Sequence, residues 1–220
     1  MDTSDSPLTA LQRDVLMALG GVPGFYLSGG AALSLVYLQH RQSLDLDLFT
    51  DSADLVPRLV NEIEHLAARE GWACEVRQRY ASFCRLSLRR GDEVTLVDVV
   101  HDTATPLVGL PDKPVVLGVP ADDLDDLVVN KLCALLGRGD VKDLVDLYFL
   151  SRAGHDPLAW LERAQHKDGG MEPASLAFVL KDVPTSPASL LLLKPVTEQE
   201  LRAFRDDLVE RLASKGWPEA

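Results

Sequence analysis

The 220-residue chain lacks the features that mark exported and membrane-embedded proteins. Its three cysteines, Cys74, Cys84 and Cys133, are widely spaced, so neither a disulfide framework nor a zinc site is predicted, and the five histidines show no metal-ligand spacing. No run reaches 18 apolar residues, and the polar residues 1–6 show no signal-peptide pattern. We therefore expect a protein of the reducing cytoplasm that has no association with a membrane.

Positive charge is also scarce in this chain. Lysine and arginine together number 22, against 34 aspartates and glutamates, which gives a formal net charge of −12. Such a charge argues against sequence-independent adhesion to nucleic acid. The arginines are nonetheless dense in one segment, where they form either a local strip that binds RNA or a triphosphate, or the solvated face of a sheet. This arginine strip consists of Arg69, Arg77, Arg79, Arg85, Arg89 and Arg90.

Hydrophobic periodicity predicts an α+β protein in two parts. Helical and strand-like patterns alternate up to residue 105 and predict a small mixed sheet with flanking helices. Residues 106–121 hold four prolines and are predicted as a linker or an extended segment. Helical patterns then dominate residues 122–220, which are predicted as a helical domain. Strands are expected at 25–27, 44–49, 73–79, 83–88 and 93–100, a tight turn at Gly91-Asp92, and helices at 8–19, 31–39, 52–70, 122–136, 141–151, 157–166, 173–180 and 197–215.

The most informative motif is a pair of aspartates one residue apart in the apolar run Leu44–Phe49. In a strand, side chains at positions i and i+2 project from the same face, so Asp45 and Asp47 point one way and the leucines point the other way. Two carboxylates at that separation repel each other unless a cation lies between them. Because hard oxygen ligands favour Mg²⁺ or Mn²⁺, the pair predicts a divalent metal site.

A diglycine, Gly29-Gly30, lies fifteen residues upstream of this pair, at the start of a predicted helix. Glycine lets the backbone approach a phosphate closely, and the free N–H groups at a helix start attract anions. Ser28 before it either caps the helix or contacts a phosphate. A phosphate-binding turn beside a metal-binding pair is the minimum equipment for phosphoryl or nucleotidyl transfer.

These motifs resemble the nucleotidyltransferase superfamily of the DNA polymerase β type, and more narrowly its AbiEii/AbiGii toxin branch. The diglycine followed by a small residue and leucine, and the pattern Arg41-x-Ser43-x-Asp45-x-Asp47, are similar to the early motifs of that branch. The segments 131–135 and 138–147 are similar to its later motifs. The resemblance covers residues 25 to 150 and implies an N-terminal nucleotidyltransferase domain. It also implies an NTP substrate, with Arg41 and Ser43 at the start of the metal-binding strand and near the nucleotide.

Asp98 is predicted as a third catalytic acid and metal ligand. It lies in the apolar run Thr95–Val100, where a lone carboxylate costs several kcal/mol unless it is paired or metal-bound (roughly 2–7 kcal/mol for an uncompensated polar group). The resembled superfamily often carries its third carboxylate on a strand next to the Asp-x-Asp strand. Asp102 is the alternative, although a loop position is expected for it.

Lys131 lies near the middle of the apolar stripe of the helix predicted at 122–136. The resemblance favours contact with a nucleotide phosphate, and a buried pair with a carboxylate is the alternative. Asp143 and Asp146 lie opposite the apolar stripe of the next helix, as on a solvated face, but the later family motif also carries two aspartates. They are therefore candidate catalytic residues that orient Lys131, hold Arg138 or contact the acceptor.

The resemblance implies a toxin that transfers NMP from an NTP to an acceptor, with tRNA favoured, and that is restrained by an antitoxin protein. One alternative is a nucleotidyltransferase for a small molecule such as an aminoglycoside. A second is a regulatory module that binds a nucleotide without chemistry. A third, a pure interaction protein, leaves the pair of aspartates unexplained.

Overall fold

The structure is a computed structural model that describes residues 6–215. The chain folds as two compact units, Met1–Asp123 and Leu124–Ala220. The first unit contains a sheet with flanking helices, and the helices after residue 123 form the second. The predicted α+β fold class is confirmed.

A five-stranded mixed sheet forms the centre of the first unit, in the order β1-β2-β5-β4-β3. β2 and β5 are parallel neighbours, whereas the other neighbouring pairs are antiparallel. β4 and β5 form a hairpin around the predicted turn at Gly91-Asp92. The strands are β1 (Tyr26–Ser28), β2 (Asp45–Thr50), β3 (Ala73–Arg79), β4 (Phe83–Arg90) and β5 (Glu93–His101).

Two helices, α1 (Ala10–Leu19) and α3 (Leu55–Glu70), cover one face of this sheet. That face carries fully buried aliphatic side chains from alternate strand positions, such as Leu46, Leu86 and Val97. Thr9 and Gln12 form a capping box that fixes the start of α1. Gly71, with φ +72°, ends α3 in the left-handed conformation that glycine favours. The core of the first unit therefore lies between the sheet and these two helices.

The helix predicted at 31–39 has a different form. It begins earlier, as the short helix α2 (Gly29–Ala32), and continues as a π-helical stretch, Leu33–Leu38, that ends at Gln39 with φ +47°. The Ser34 hydroxyl donates to the Arg41 carbonyl and also accepts from the Arg41 N–H. The wider helical turn thus brings Ser34 against the chain that leads into β2.

The proline-rich residues 106–121 belong to the first unit. They contain two short strands, β6 (Val115–Val116) and β7 (Val119–Pro120), which pair antiparallel. Ala121 forms a parallel bridge with Leu27, so the segment runs along the free edge of β1. Its backbone hydrogen bonds protect that edge of the sheet.

The second unit is helical. Its interior is rich in fully buried leucines, among them Leu132, Leu135 and Leu147. Among residues 6–215, no helix is both long and apolar enough to cross a membrane. The helices are α4 (Leu124–Arg138), α5 (Val141–Arg152), a 3₁₀ turn (Pro157–Trp160), α6 (Leu161–Lys167), α7 (Pro173–Asp182) and α8 (Glu198–Lys215).

Candidate active site

The diglycine forms a tight turn that lies against the predicted metal-binding strand. Gly29 has φ +64°, a conformation that favours glycine, and a Cβ placed on it would overlap the Asp47 carboxylate. A Cβ on Gly30 would lie 2.5 Å from Nη2 of Arg41 and 3.2 Å from Oγ of Ser43. Gly29 therefore requires the absence of a side chain, whereas a side chain at Gly30 would make the Arg41 guanidinium shift, and the turn brings the bare backbone next to the carboxylate and the guanidinium.

Asp45 and Asp47 project from the same face of β2, as predicted. Both are half-buried, whereas Leu46 and Leu48 between and after them are fully buried on the opposite face. The Ser43 hydroxyl donates to Oδ1 of Asp45 over 3.1 Å. Ser43 therefore orients one of the two carboxylates. The Arg41 side chain is buried beside Gly30, and Nη1 donates to the Gln42 carbonyl.

Asp98 lies on the strand next to this pair, directly across from Asp47 in the parallel register. Its side chain is 7% exposed and forms a two-pronged ion pair with Arg85, with Nε to Oδ1 at 2.7 Å and Nη2 to Oδ2 at 2.6 Å. The hydrogen bond with Asp98 raises the pKa of Arg85, and the charges of Asp98, Asp45 and Asp47 raise it further. The three aspartates and this arginine therefore form one electrostatic cluster.

Sequence reasoning assigned Arg85 only to the arginine strip and missed its pairing with Asp98. The signal was present, because a turn at Gly91-Asp92 pairs Arg90 with Glu93, and counting outwards pairs Arg85 with Asp98. In antiparallel neighbours, residues directly opposite each other project from the same face. The predicted turn therefore already specified this ion pair.

Arg69 of the arginine strip lies on α3, and the sheet arginines of the strip are divided between the two faces of the sheet. Arg79 and Arg90 lie on the face covered by helices, where they pair with Glu64 of α3 and Asp14 of α1. Arg85 and the exposed Arg89 lie on the opposite face, which is the face of the aspartates. The expectation of a single basic surface is therefore wrong, because strand alternation separates its members.

The donor atoms around Asp45 and Asp47 fit a divalent cation. Mg²⁺ is commonly held by one or two carboxylates together with substrate phosphates, and these two carboxylates lie on one face next to the diglycine turn. Within residues 6–215, no group of three or more His, Cys, Asp and Glu side chains is arranged to hold a metal ion. Since Arg85 engages both oxygens of Asp98, the third ligand stays a prediction.

Ser28 does not cap the helix that follows it. Its side chain is fully buried, and its hydroxyl donates to Oδ2 of Asp122 over 2.5 Å. Asp122 also pairs with Lys113, with Nζ to Oδ1 at 2.7 Å, and its backbone N–H donates to Leu27. The serine thus joins the end of β1 to the proline-rich segment, a contact that no local sequence pattern predicts.

Asp102, the alternative third acid, does not lie beside the aspartate pair. It follows β5 and lines an open pocket of about 300 Å³ at the carboxyl ends of β2 and β5. Four residues along a strand separate it from Asp98, a distance of about 13 Å. His101 and Asp51 also line this pocket.

In the second unit, Lys131 forms a buried charge cluster with two aspartates of α5. Its Nζ lies 2.6 Å from Oδ2 of Asp146 and 3.1 Å from Oδ1 of Asp143. Arg138 also binds Asp143, with Nε to Oδ2 at 2.7 Å. Both aspartates are fully buried, so the interpretation of a solvated face is wrong, and the buried pair predicted as the alternative for Lys131 is present. Their participation in catalysis stays a prediction.

A glycine turn against an Asp-x-Asp strand in a mixed sheet is the arrangement of a nucleotidyltransferase, and the comparisons with known proteins agree. The chain belongs to the family described as nucleotidyl transferase AbiEii toxin of type IV toxin–antitoxin systems, whose model matches residues 10–220. The resemblance noted from the motifs is thereby confirmed, and the protein is a nucleotidyltransferase.

Solved structures share this fold, among them JHP933 and MenT4. JHP933 from Helicobacter pylori is 20% identical, with a TM-score of 0.59 over 93% of this chain and 91% of that chain. MenT4, a nucleotidyltransferase toxin from Mycobacterium tuberculosis H37Rv, is 17% identical, with a TM-score of 0.58 over 92% of this chain and 85% of that chain. Comparison with curated proteins gives no significant match.

Proposed function

We propose that this protein uses Mg²⁺ or Mn²⁺ to transfer an NMP from an NTP to a hydroxyl of an acceptor RNA, with tRNA favoured. The observation that carries the proposal is the close approach of the Gly29 backbone to the Asp47 carboxylate, because it joins the proposed phosphate-binding turn to the proposed metal-binding pair. The family supports a toxin role and an antitoxin protein as its partner.

The residues of the first unit have distinct tasks in this reaction. The backbone at Gly29 and Gly30 binds phosphate oxygens of the NTP, and Arg41 beside Gly30 adds positive charge there. A cation held by Asp45 and Asp47 would neutralise the triphosphate and polarise the α-phosphorus. Ser43 keeps Asp45 in its rotamer. The acceptor hydroxyl oxygen forms a bond to the α-phosphorus and releases its proton to water, the bond from the α-phosphorus to the bridging oxygen breaks, and pyrophosphate leaves.

The buried cluster of the second unit supports a positioning role for its two aspartates. Asp143 and Asp146 fix the ammonium group of Lys131 from two sides, and Arg138 neutralises the remaining charge of Asp143. A lysine held in this way is preorganised to stabilise negative charge on a phosphate. We propose this task for Lys131 in the transfer reaction.

A small-molecule acceptor is the second candidate. It is favoured by the division of the arginine strip, which leaves Arg85 and Arg89 but neither Arg79 nor Arg90 on the face of the aspartates. A chain with a net charge of −12 needs a local basic surface to bind a polyanion, whereas a cationic aminoglycoside does not.

One experiment separates these candidates. The purified protein is incubated with each α-labelled NTP and with Mg²⁺ or EDTA, in the presence of total RNA, purified tRNA or a panel of aminoglycosides. The proposal is supported if tRNA becomes labelled, if this labelling requires Mg²⁺, and if Asp45→Asn and Asp47→Asn abolish it. The second candidate is supported if only an aminoglycoside becomes labelled. Binding of NTP with no label in any acceptor would indicate a non-catalytic module and overturn both. Asp51→Asn is the matched control, because Asp51 lies just beyond the same strand and is exposed.

A further inference from the structure

We propose that Arg85 is the internal counter-ion of the active site: its guanidinium competes with a divalent cation for Asp98 and moves to the triphosphate when the nucleotide binds. This inference rests on the proposed function, because it assumes that Asp45 and Asp47 hold the metal. Nothing in the sequence motifs of the family pointed to Arg85, since it belongs neither to the diglycine nor to the Asp-x-Asp motif.

The first argument is position. Arg85, Asp98 and Asp47 are direct register partners on the neighbouring strands β4, β5 and β2, so their side chains form one row on one face. Neighbouring strands are about 4.8 Å apart, so the row spans about 10 Å. A guanidinium at one end and a predicted metal-binding carboxylate at the other therefore both lie within reach of Asp98.

The second argument is occupancy. Nε and Nη2 of Arg85 bind both oxygens of Asp98, at 2.7 and 2.6 Å. A carboxylate engaged in this way has few lone pairs left for a metal ion, and a second cation nearby is repelled by the guanidinium. A divalent ion that takes Asp98 as a ligand therefore competes with Arg85 for these oxygens.

The third argument is the asymmetry of burial within the pair. The Asp98 side chain is 7% exposed and cannot be left without a cation, because an uncompensated buried charge is strongly unfavourable. The Arg85 side chain is 36% exposed, so it is the partner that can leave. Its planar fork suits a phosphate as well as a carboxylate, and the bound triphosphate would be the anion nearest to it on this face.

Binding of Mn²⁺ without nucleotide, measured by calorimetry and by electron paramagnetic resonance, tests the competition directly. Arg85→Met should bind Mn²⁺ at least tenfold more tightly than the wild type, because Asp98 becomes available and the repelling charge is gone. Arg85→Lys keeps the charge and should stay near the wild type. Arg89→Met is the matched control for this measurement, since Arg89 lies on the same strand and face but does not contact Asp98 in the strand register, and its Mn²⁺ affinity should equal that of the wild type.

The second arm measures NTP binding without metal. Arg85→Met should weaken it about tenfold, because a charge-assisted contact with the triphosphate is lost. Asp98→Asn releases the guanidinium and should strengthen it. When Arg85 is already replaced by methionine, no guanidinium remains to be released. Asp98→Asn should then strengthen NTP binding only by the effect of removing one negative charge. If Arg85→Met alone folds poorly, the double variant Arg85→Met/Asp98→Asn, which removes both charges of the pair together, is compared with Asp98→Asn instead, and it should bind NTP more weakly because it lacks the released guanidinium.

The outcomes distinguish the inference from the proposal on which it rests. If Asp45→Asn does not reduce Mn²⁺ binding in any background, the proposed metal site is wrong. If Mn²⁺ binding depends on Asp45 but is unchanged or weaker in Arg85→Met, the metal site stands and the competition is refuted. If the competition holds but NTP binding is insensitive to Arg85, the transfer of the guanidinium to the triphosphate is refuted.

Discussion

Replacement of Lys131 by methionine tests the meaning of the buried charge cluster in the second unit. The change removes the cation that lies 2.6 Å from Asp146 and 3.1 Å from Asp143. Arg138 still binds Asp143, with both of its hydrogen bonds at 2.7 and 2.8 Å. Asp146, which is fully buried, loses the lysine nitrogen that lies 2.6 Å from its Oδ2.

The magnitude follows from that burial. Breaking a buried ion pair by removal of one partner costs about 3–5 kcal/mol, since a charge is left in an apolar interior. Because the methionine side chain packs well in the apolar stripe of α4, most of this cost is electrostatic. The double variant Lys131→Met/Asp146→Asn should therefore recover most of the lost stability. Arg202→Met, which breaks an exposed pair with Glu198 on α8, should cost no more than about 0.5 kcal/mol.

Urea unfolding monitored by circular dichroism provides the measurement, together with transfer activity per folded molecule. A loss below about 1 kcal/mol in Lys131→Met would refute the electrostatic reasoning. The double variant separates the two tasks of the lysine. If it regains stability but stays at least a hundredfold less active, Lys131 acts in the reaction, and if it regains both, the cluster is structural.

Three further predictions concern the first unit. Asp45→Asn should abolish metal-dependent NTP binding and raise the melting temperature without metal, because like-charge repulsion is removed; a calorimetric scan with and without Mg²⁺ measures both. Gly29→Ala and Gly71→Ala should each lower the free energy of unfolding by about 1 kcal/mol, because both glycines have positive φ angles. Only Gly29→Ala should lose NTP binding, because its Cβ would meet a carboxylate, whereas Gly71 faces open space. If RNA is the acceptor, Arg89→Gln should reduce the salt dependence of RNA modification by about one unit per phosphate contact, and Arg79→Gln on the opposite face should not; equal salt slopes would exclude this face as the RNA surface.

The sequence predicted those features that follow from periodicity within one element. The two-residue period of a strand placed Asp45 and Asp47 on one face, and this prediction holds. The same period also divides the arginine strip, but that consequence appears only when the residues are assigned to opposite faces. Counting outwards from the Gly91-Asp92 turn would have paired Arg85 with Asp98. The divided arginine strip and the pair of Arg85 with Asp98 both follow from the pairing register of the strands, which the motifs alone do not display.

Other features depend on partners that no local pattern contains. Asp143 and Asp146 lie on the polar side of α5, and an amphipathic pattern cannot distinguish water from a buried lysine on a neighbouring helix. The π-helical stretch Leu33–Leu38 differs from an α-helix by one residue per turn, which hydrophobic periodicity does not resolve. The bond from Ser28 to Asp122 joins residues 94 positions apart.

The balance of charge indicates which of the two clusters calls for a metal ion. In the second unit, Asp143 and Asp146 each pair with a cation, Asp143 with Lys131 and Arg138 and Asp146 with Lys131. On the face of the aspartates, Asp45, Asp47 and Asp98 all act on Arg85, and with Arg41 these five side chains carry three negative and two positive charges. A divalent cation would offset the negative charge of the three aspartates on the sheet, whereas in the second unit it would have to displace Lys131 or Arg138 from the aspartates. The same count explains why Arg85 must be the partner that yields: once a divalent ion is bound, its positive charge becomes surplus among the carboxylates and is needed by the triphosphate.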